Sequence, residues 1–74
     1  MPSNLQYTVI IEKAGTNYSA YCPDLPGCVA AGNSIEETIA LMTDAIKAHL
    51  ELMKEDKLEI PEPTTRAVNI EVTV

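Results

Sequence analysis

Apolar and polar residues alternate at the start of the chain. Leu5, Tyr7, Val9 and Ile11 fall on one face of an extended segment, and Gln6, Thr8, Ile10 and Glu12 on the other. This predicts a strand over residues 5–13. Ala14-Gly15-Thr16-Asn17 has the chemistry of a tight turn, with Gly15 free to take positive φ. Residues 18–22 then read as a second strand, paired with the first in a hairpin. Pro23-Asp24-Leu25-Pro26-Gly27 interrupts the pattern. Pro26 presets φ for the second position of a turn, and Gly27 supplies the positive φ a type II turn needs next. Asp24 is placed to bond the backbone two residues on. A short third strand over residues 28–31 stops at Gly32-Asn33.

The period then changes from two to 3.6. Ser34 is suited to cap a helix, and Glu37 three residues later completes a capping box. Glu36 and Glu37 sit where the helix dipole favours anions. The helix is expected from Ile35 to about Lys54, and Pro61 forbids its continuation. It carries two apolar stripes. Ile35, Ile39, Met42, Ile46, Leu50 and Met53 form one; Leu41, Ala45, Ala48 and Leu52 lie roughly 110° around the axis. One face of a small sheet needs only the first stripe. The second is either the flank of a thick core or a buried interface with another copy or a partner. After the stiff Ile60-Pro61-Glu62-Pro63 connector, Val68, Ile70, Val72 and Val74 alternate with Ala67, Asn69, Glu71 and Thr73, which predicts a fourth strand with one buried face. The order β-β-β-α-β gives an α+β fold: one antiparallel or mixed sheet with one helix packed on it. Residues 1–74 make a single domain.

Size and charge change what this fold is expected to do. With 74 residues, the chain buries a limited core, so assembly or a partner is expected. Eleven acids against five bases give a net charge of −6. That balance disfavours direct contact with nucleic-acid phosphates and suits a basic protein partner. No apolar run is long enough to span a membrane, and Met1-Pro2-Ser3-Asn4 does not open a signal peptide. Cys22 and Cys28 lack the spacing of a zinc or redox pair and read as small packed residues in a reducing, cytoplasmic setting.

Candidate chemistry is sparse. His49, the lone histidine, has no metal-ligand partners at suitable spacing and reads as a packing residue. The acids are spread over the helix and loops, with no converging carboxylate set of the kind metal-dependent nucleases require. No catalytic, cofactor or metal site is expected. The Pro23–Gly27 segment is a structural turn or a rigid recognition loop, with Tyr21 and Leu25 as its contacts.

The run Tyr21-Cys22-Pro23-Asp24-Leu25-Pro26-Gly27-Cys28, then Gly32-Asn33-Ser34-Ile35-Glu36-Glu37, an amphipathic helix and Ile60-Pro61-Glu62-Pro63, resembles the HicB family of antitoxins. The likeness covers residues 7–63. It implies a partial RNase H-like fold without nuclease activity. It also implies a HicA-like toxin as partner: a small basic RNase with a catalytic histidine, masked on binding. Tyr21, Asp24, Leu25, Pro26 and Gly27 are then candidates to organise the toxin contact. Leu41, Ala45, Ala48 and Leu52 are candidates for a homo-oligomer interface. The alternative is a solitary oligomeric interaction module with no toxin. Many members carry a C-terminal DNA-binding domain; these 74 residues reach only the predicted last strand, so no DNA binding is expected from them. Where members often have Thr, this chain has Ser34; where they often have Ala, it has Thr38. Asp56-Lys57-Leu58-Glu59 stands where a Gly commonly precedes the connector.

Overall fold

A computed structural model describes residues 4–74. Met1-Pro2-Ser3, on which the reading of a missing signal peptide partly rests, lies outside the described residues. Three strands are followed by one helix: β1 (Ile10–Ala14), β2 (Asn17–Tyr21), β3 (Val29–Gly32) and α1 (Ile35–Glu55). The strands form an antiparallel sheet in the order β1-β2-β3, so the α+β class and the β-β-β-α order follow the sequence pattern.

The hairpin closes at Ala14 opposite Asn17, with Gly15 at φ 66°. A positive φ at the first of two central residues is the signature of a type II′ hairpin turn, whose twist matches that of the strands. The predicted type II turn also forms. Cys28 N–H donates to the Leu25 carbonyl at 3.1 Å, with Pro26 second and Gly27 third at φ 84°. A preceding turn brings Leu25 N–H to the Cys22 carbonyl at 3.1 Å, and Cys22 N–H reaches the Cys28 carbonyl at 3.2 Å. The loop between β2 and β3 is therefore internally bonded from end to end.

Two strand expectations change. The first strand begins its ladder at Ile10 rather than Leu5, because Ile10 pairs with Tyr21 and β2 then turns away at Cys22-Pro23. Tyr7 and Val9 still pack on the core from the extended lead-in. The segment read as a fourth strand, 67–74, pairs with nothing among the described residues and stays exposed along its length. Its pattern suits a strand, but the single chain offers it no bonded neighbour.

The helix begins as expected. Ser34 is extended at φ −141°, and its Oγ accepts from Glu37 N–H at 3.0 Å. Glu37 Oε1 accepts from Asn33 N–H at 2.7 Å, one residue earlier than the usual box. The end differs from the expectation that Pro61 alone would stop it. Lys57 takes a left-handed φ of 57°, its N–H donates to the Lys54 carbonyl at 3.0 Å, and Leu58 N–H donates to the Met53 carbonyl at 2.8 Å. This is a Schellman closure, with Lys in the position glycine usually takes.

The core consists of Ala20, Cys22, Leu25, Cys28 and Met42, with Tyr7, Val9, Ile11, Ala30, Ala45, Ile46 and Leu50 packed around it. Register explains the sheet's share: Ile11, Ala20 and Ala30 lie side by side on the face that meets the helix. On the helix, burial follows only part of the first predicted stripe. Thr38 and Met42 are fully buried, while Ile35, Ile39, Leu41 and Leu52 stay exposed. Met42 belongs to the first stripe, and Ile46 and Leu50 of that stripe pack beside it, but Thr38 belongs to neither stripe, so burial is centred on one edge of the first stripe. The cause is the two-residue connection from Gly32 to the helix, which sets α1 over β3 and β2. A Cβ on Gly32 would stand 2.6 Å from Thr38 Oγ1, so only glycine permits so close an approach. Thr38 Oγ1 donates to the Ser34 carbonyl at 2.7 Å, which satisfies its buried hydroxyl.

Candidate functional site: the β2–β3 loop and the open sheet face

The sheet has the helix on one face and an uncovered face opposite. On the uncovered face Ile10 pairs with Tyr21, and Tyr21 with Val29, giving an apolar row across all three strands. Tyr21 is 42% exposed and Val29 64% exposed. The row borders the Pro23–Gly27 loop, where Pro26 and Gly27 are also exposed. The row lies beside a loop stiffened by two prolines and three backbone hydrogen bonds, so the exposed apolar surface is held in a fixed shape.

The residues singled out in the loop divide into two groups. Tyr21, Pro26 and Gly27 are exposed and available for contact. Leu25 is 0% exposed and belongs to the core, so it holds the loop from beneath instead of touching a partner. Asp24 does not bond the backbone two residues on. One oxygen, Oδ1, accepts from the hydroxyls of Thr64 at 3.0 Å and Thr65 at 2.9 Å; the other, Oδ2, accepts from their backbone N–H groups at 3.2 and 3.1 Å. Its carboxyl lies below the usual carboxylate range, chiefly through the Thr65 N–H bond; desolvation opposes this, and the remaining Thr bonds add to it. Asp24 is thus the clasp that fixes the loop to the chain entering the C-terminal segment.

Two further bonds hold the same segment. Tyr7 Oη donates to the Pro61 carbonyl, and Thr8 Oγ1 donates to the Thr65 carbonyl at 2.8 Å. The Tyr7 phenol is raised above its ordinary pKa by desolvation and then by the nearby Cys22, Asp24 and Glu62. Neither Thr64 nor Thr65 carried a sequence signal, because a pair of threonines after a proline is common and the contact spans some forty residues.

The helix stripe proposed for self-association is also divided. Leu41, Ala48 and Leu52 remain exposed, Leu52 at 60%, while Ala45 packs against the core. His49 is half-buried. Among the described residues, no three His, Cys, Asp or Glu side chains gather as a metal site would require, and no helix is long and apolar enough to cross a membrane.

Known proteins share this pattern. A chain region of residues 7–72 matches the family described as HicB-like antitoxin of bacterial toxin-antitoxin systems. The Antitoxin HicB 2 of Photorhabdus laumondii is 33% identical over 66 residues, 89% of this chain and 48% of its own length. An uncharacterized 14.9 kDa protein of Haemophilus phage HP1 is 40% identical over 55 residues, 74% of this chain and 41% of its own length. This chain therefore spans less than half of either relative. A UPF0150 protein of Thermoplasma acidophilum, 31% identical over 67 residues, is matched over 97% of its length. With the family pattern running from the first core tyrosine to the C-terminal segment, the chain belongs to the HicB-like antitoxins of bacterial toxin–antitoxin systems.

Proposed function

We propose that this chain neutralises a small basic RNase of the HicA type by covering its RNA-binding surface. The observation that carries the proposal is the exposed row Ile10–Tyr21–Val29, continuous with Pro26 and Gly27 and held rigid by buried Leu25 and clasped Asp24. A tyrosine with one apolar face and one polar end is well suited to anchor such an interface. The net charge of −6 attracts a basic toxin at long range and raises the encounter rate more than the final affinity. The chain acts in the cytoplasm, in homo-oligomeric form, as a binder without catalysis of its own.

The experiment pairs the purified chain with a HicA-like RNase encoded beside it. Addition of the chain abolishes RNA cleavage, and Tyr21→Ala together with Val29→Asp restores it without changing the helical circular dichroism. An RNase that neither binds the chain nor loses activity in its presence sinks the proposal. Cleavage of RNA by the chain alone with Mg²⁺ or Mn²⁺ would contradict the non-catalytic part.

A further inference from the structure

The helix covers β3 and β2 but leaves β1 without a roof. Between β1 and α1 runs an open groove with a volume of about 990 Å³, lined by Tyr7, Val9 and Ile11 on the sheet side and by Ile39, Ile46 and Leu50 on the helix side. β1 is also an edge strand, since β2 is its one bonded neighbour among the described residues. Its outer N–H and C=O groups are open to a further strand.

The same molecule carries a segment with a strand's alternation that pairs with nothing among the described residues. Val68, Ile70 and Val72 are 68, 79 and 73% exposed, and their two-residue spacing puts them on one face of the segment when it is extended. Asn69, Glu71 and Thr73 make the other face polar. Among the described residues, residues 66–74 enter no backbone hydrogen bond outside helix and sheet. Eight extended steps from Arg66 reach roughly 26 Å, in keeping with a long axis of 48 Å against 26 and 20 Å for the other two. The bonds from Asp24 and Thr8 to Thr64 and Thr65 fix where this strand leaves its own body.

We infer that residues 67–74 of one copy add to the β1 edge of a second copy, with Val68, Ile70 and Val72 filling its groove, and that the exchange is mutual. The occupant is the same chain because, among the described residues, each molecule holds one unpaired segment with an apolar face and, at β1, an open sheet edge beside an apolar groove that matches it. Mutual exchange satisfies both under two-fold symmetry and closes the assembly. Each copy then contributes two patches, a strand and a groove, toward the roughly 800 Å² per partner that a stable interface needs. This inference draws on the homo-oligomeric part of the proposed function but not on the toxin. It also uses a surface separate from Leu41, Ala48 and Leu52.

The test combines mass in solution with the identity of the contacts. The full chain, measured by sedimentation equilibrium, is a dimer; Ile70→Asp with Val72→Asp shifts it to monomer, whereas Leu41→Asp with Leu52→Asp does not. In a mixed sample of labelled and unlabelled chains, isotope-filtered NMR shows contacts from the Ile70 and Val72 methyls of one copy to the Val9 and Ile46 methyls of the other. These contacts are read on the unaltered chain, so misfolding of a variant cannot imitate them. A monomer overturns both the exchange and the homo-oligomeric reading. A dimer whose tail methyls contact only their own sheet overturns the exchange alone, as does one dispersed by the Leu41 and Leu52 changes instead. A tail that orders only when a basic RNase is added overturns it too.

Discussion

The carboxylate of Asp24 receives both the backbone N–H and the hydroxyl of Thr65, at 3.1 and 2.9 Å, across 41 residues of chain. One side chain thereby ties the turn between β2 and β3 to the root of the C-terminal segment. The bonds require the ionised form, and the pKa of Asp24 in the folded chain accordingly lies below its ordinary value. The unfolded chain therefore takes up a proton first as pH falls. The clasp contributes fully at neutral pH, and its contribution is lost as pH falls from the ordinary carboxylate range through the lowered folded value. Amide protection at Thr64 and Thr65, relative to the intrinsic exchange rate at each pH, is expected to fall over that acid range, and Asp24→Asn is expected to show the reduced protection already at pH 7. Unchanged exchange in the variant would remove the clasp from the account.

Gly32 predicts a second measurement. An added methyl meets Thr38 Oγ1 at 2.6 Å and Thr38 N at 3.0 Å. Gly32→Ala is expected to destabilise the fold by about 1–3 kcal/mol, the usual range for forcing extra bulk into a packed contact. Thr38→Ala in the same chain removes the nearer atom and is expected to return part of the loss. Urea unfolding of the two single variants and the double variant reads this coupling. Strict additivity would mean that the two residues do not press on each other.

The two helix ends respond in opposite directions. Ser34→Ala removes the oxygen that accepts from Glu37 N–H and is expected to cost about 1 kcal/mol. Lys57→Gly relieves a left-handed backbone that disfavours a Cβ and is expected to stabilise the chain by up to about 1 kcal/mol. Thermal unfolding followed at the helical signal distinguishes a gain from a loss in each case.

The cysteines make a chemical prediction. Both Cys22 and Cys28 are buried and free, and burial followed by the neighbouring Cys22 raises the Cys28 thiol above its ordinary value. Since the thiolate is the reactive form, iodoacetamide is expected to label the native chain slowly at pH 8 and rapidly in denaturant. Rapid native labelling of Cys28 would mean that the β2–β3 loop opens far more readily than its bonds imply.

Much of the fold was legible because its causes are local. The type II turn at Leu25–Cys28 needs a proline followed by a residue tolerant of positive φ, and Pro26-Gly27 states both. The helix start at Ser34 and the hairpin at Gly15-Thr16 are written within four residues each. The role of Asp24 was not legible in the same way: a local turn bond and a bond to a distant threonine look identical in sequence. The burial of Leu25 was missed for a related reason. A leucine between two prolines in a loop reads as exposed until the two turns are seen to fold it inward over the core.

The sequence by itself determined the three-strand and one-helix order, the hairpin turn at Gly15, the type II turn at Pro26-Gly27, the N-cap and the apolar alternation of residues 68–74, all set by backbone sterics and side-chain period. Tertiary structure decided which line of the helix is buried, because the close passage of Gly32 beneath Thr38 sets α1 over β3 and β2 and turns Thr38, a member of neither stripe, inward beside Met42 of the first. It also decided that residues 67–74 remain uncovered while β1 keeps an open edge. Periodicity tells which face of a strand is apolar. What that face meets depends on where the rest of the chain, or another chain, has been placed.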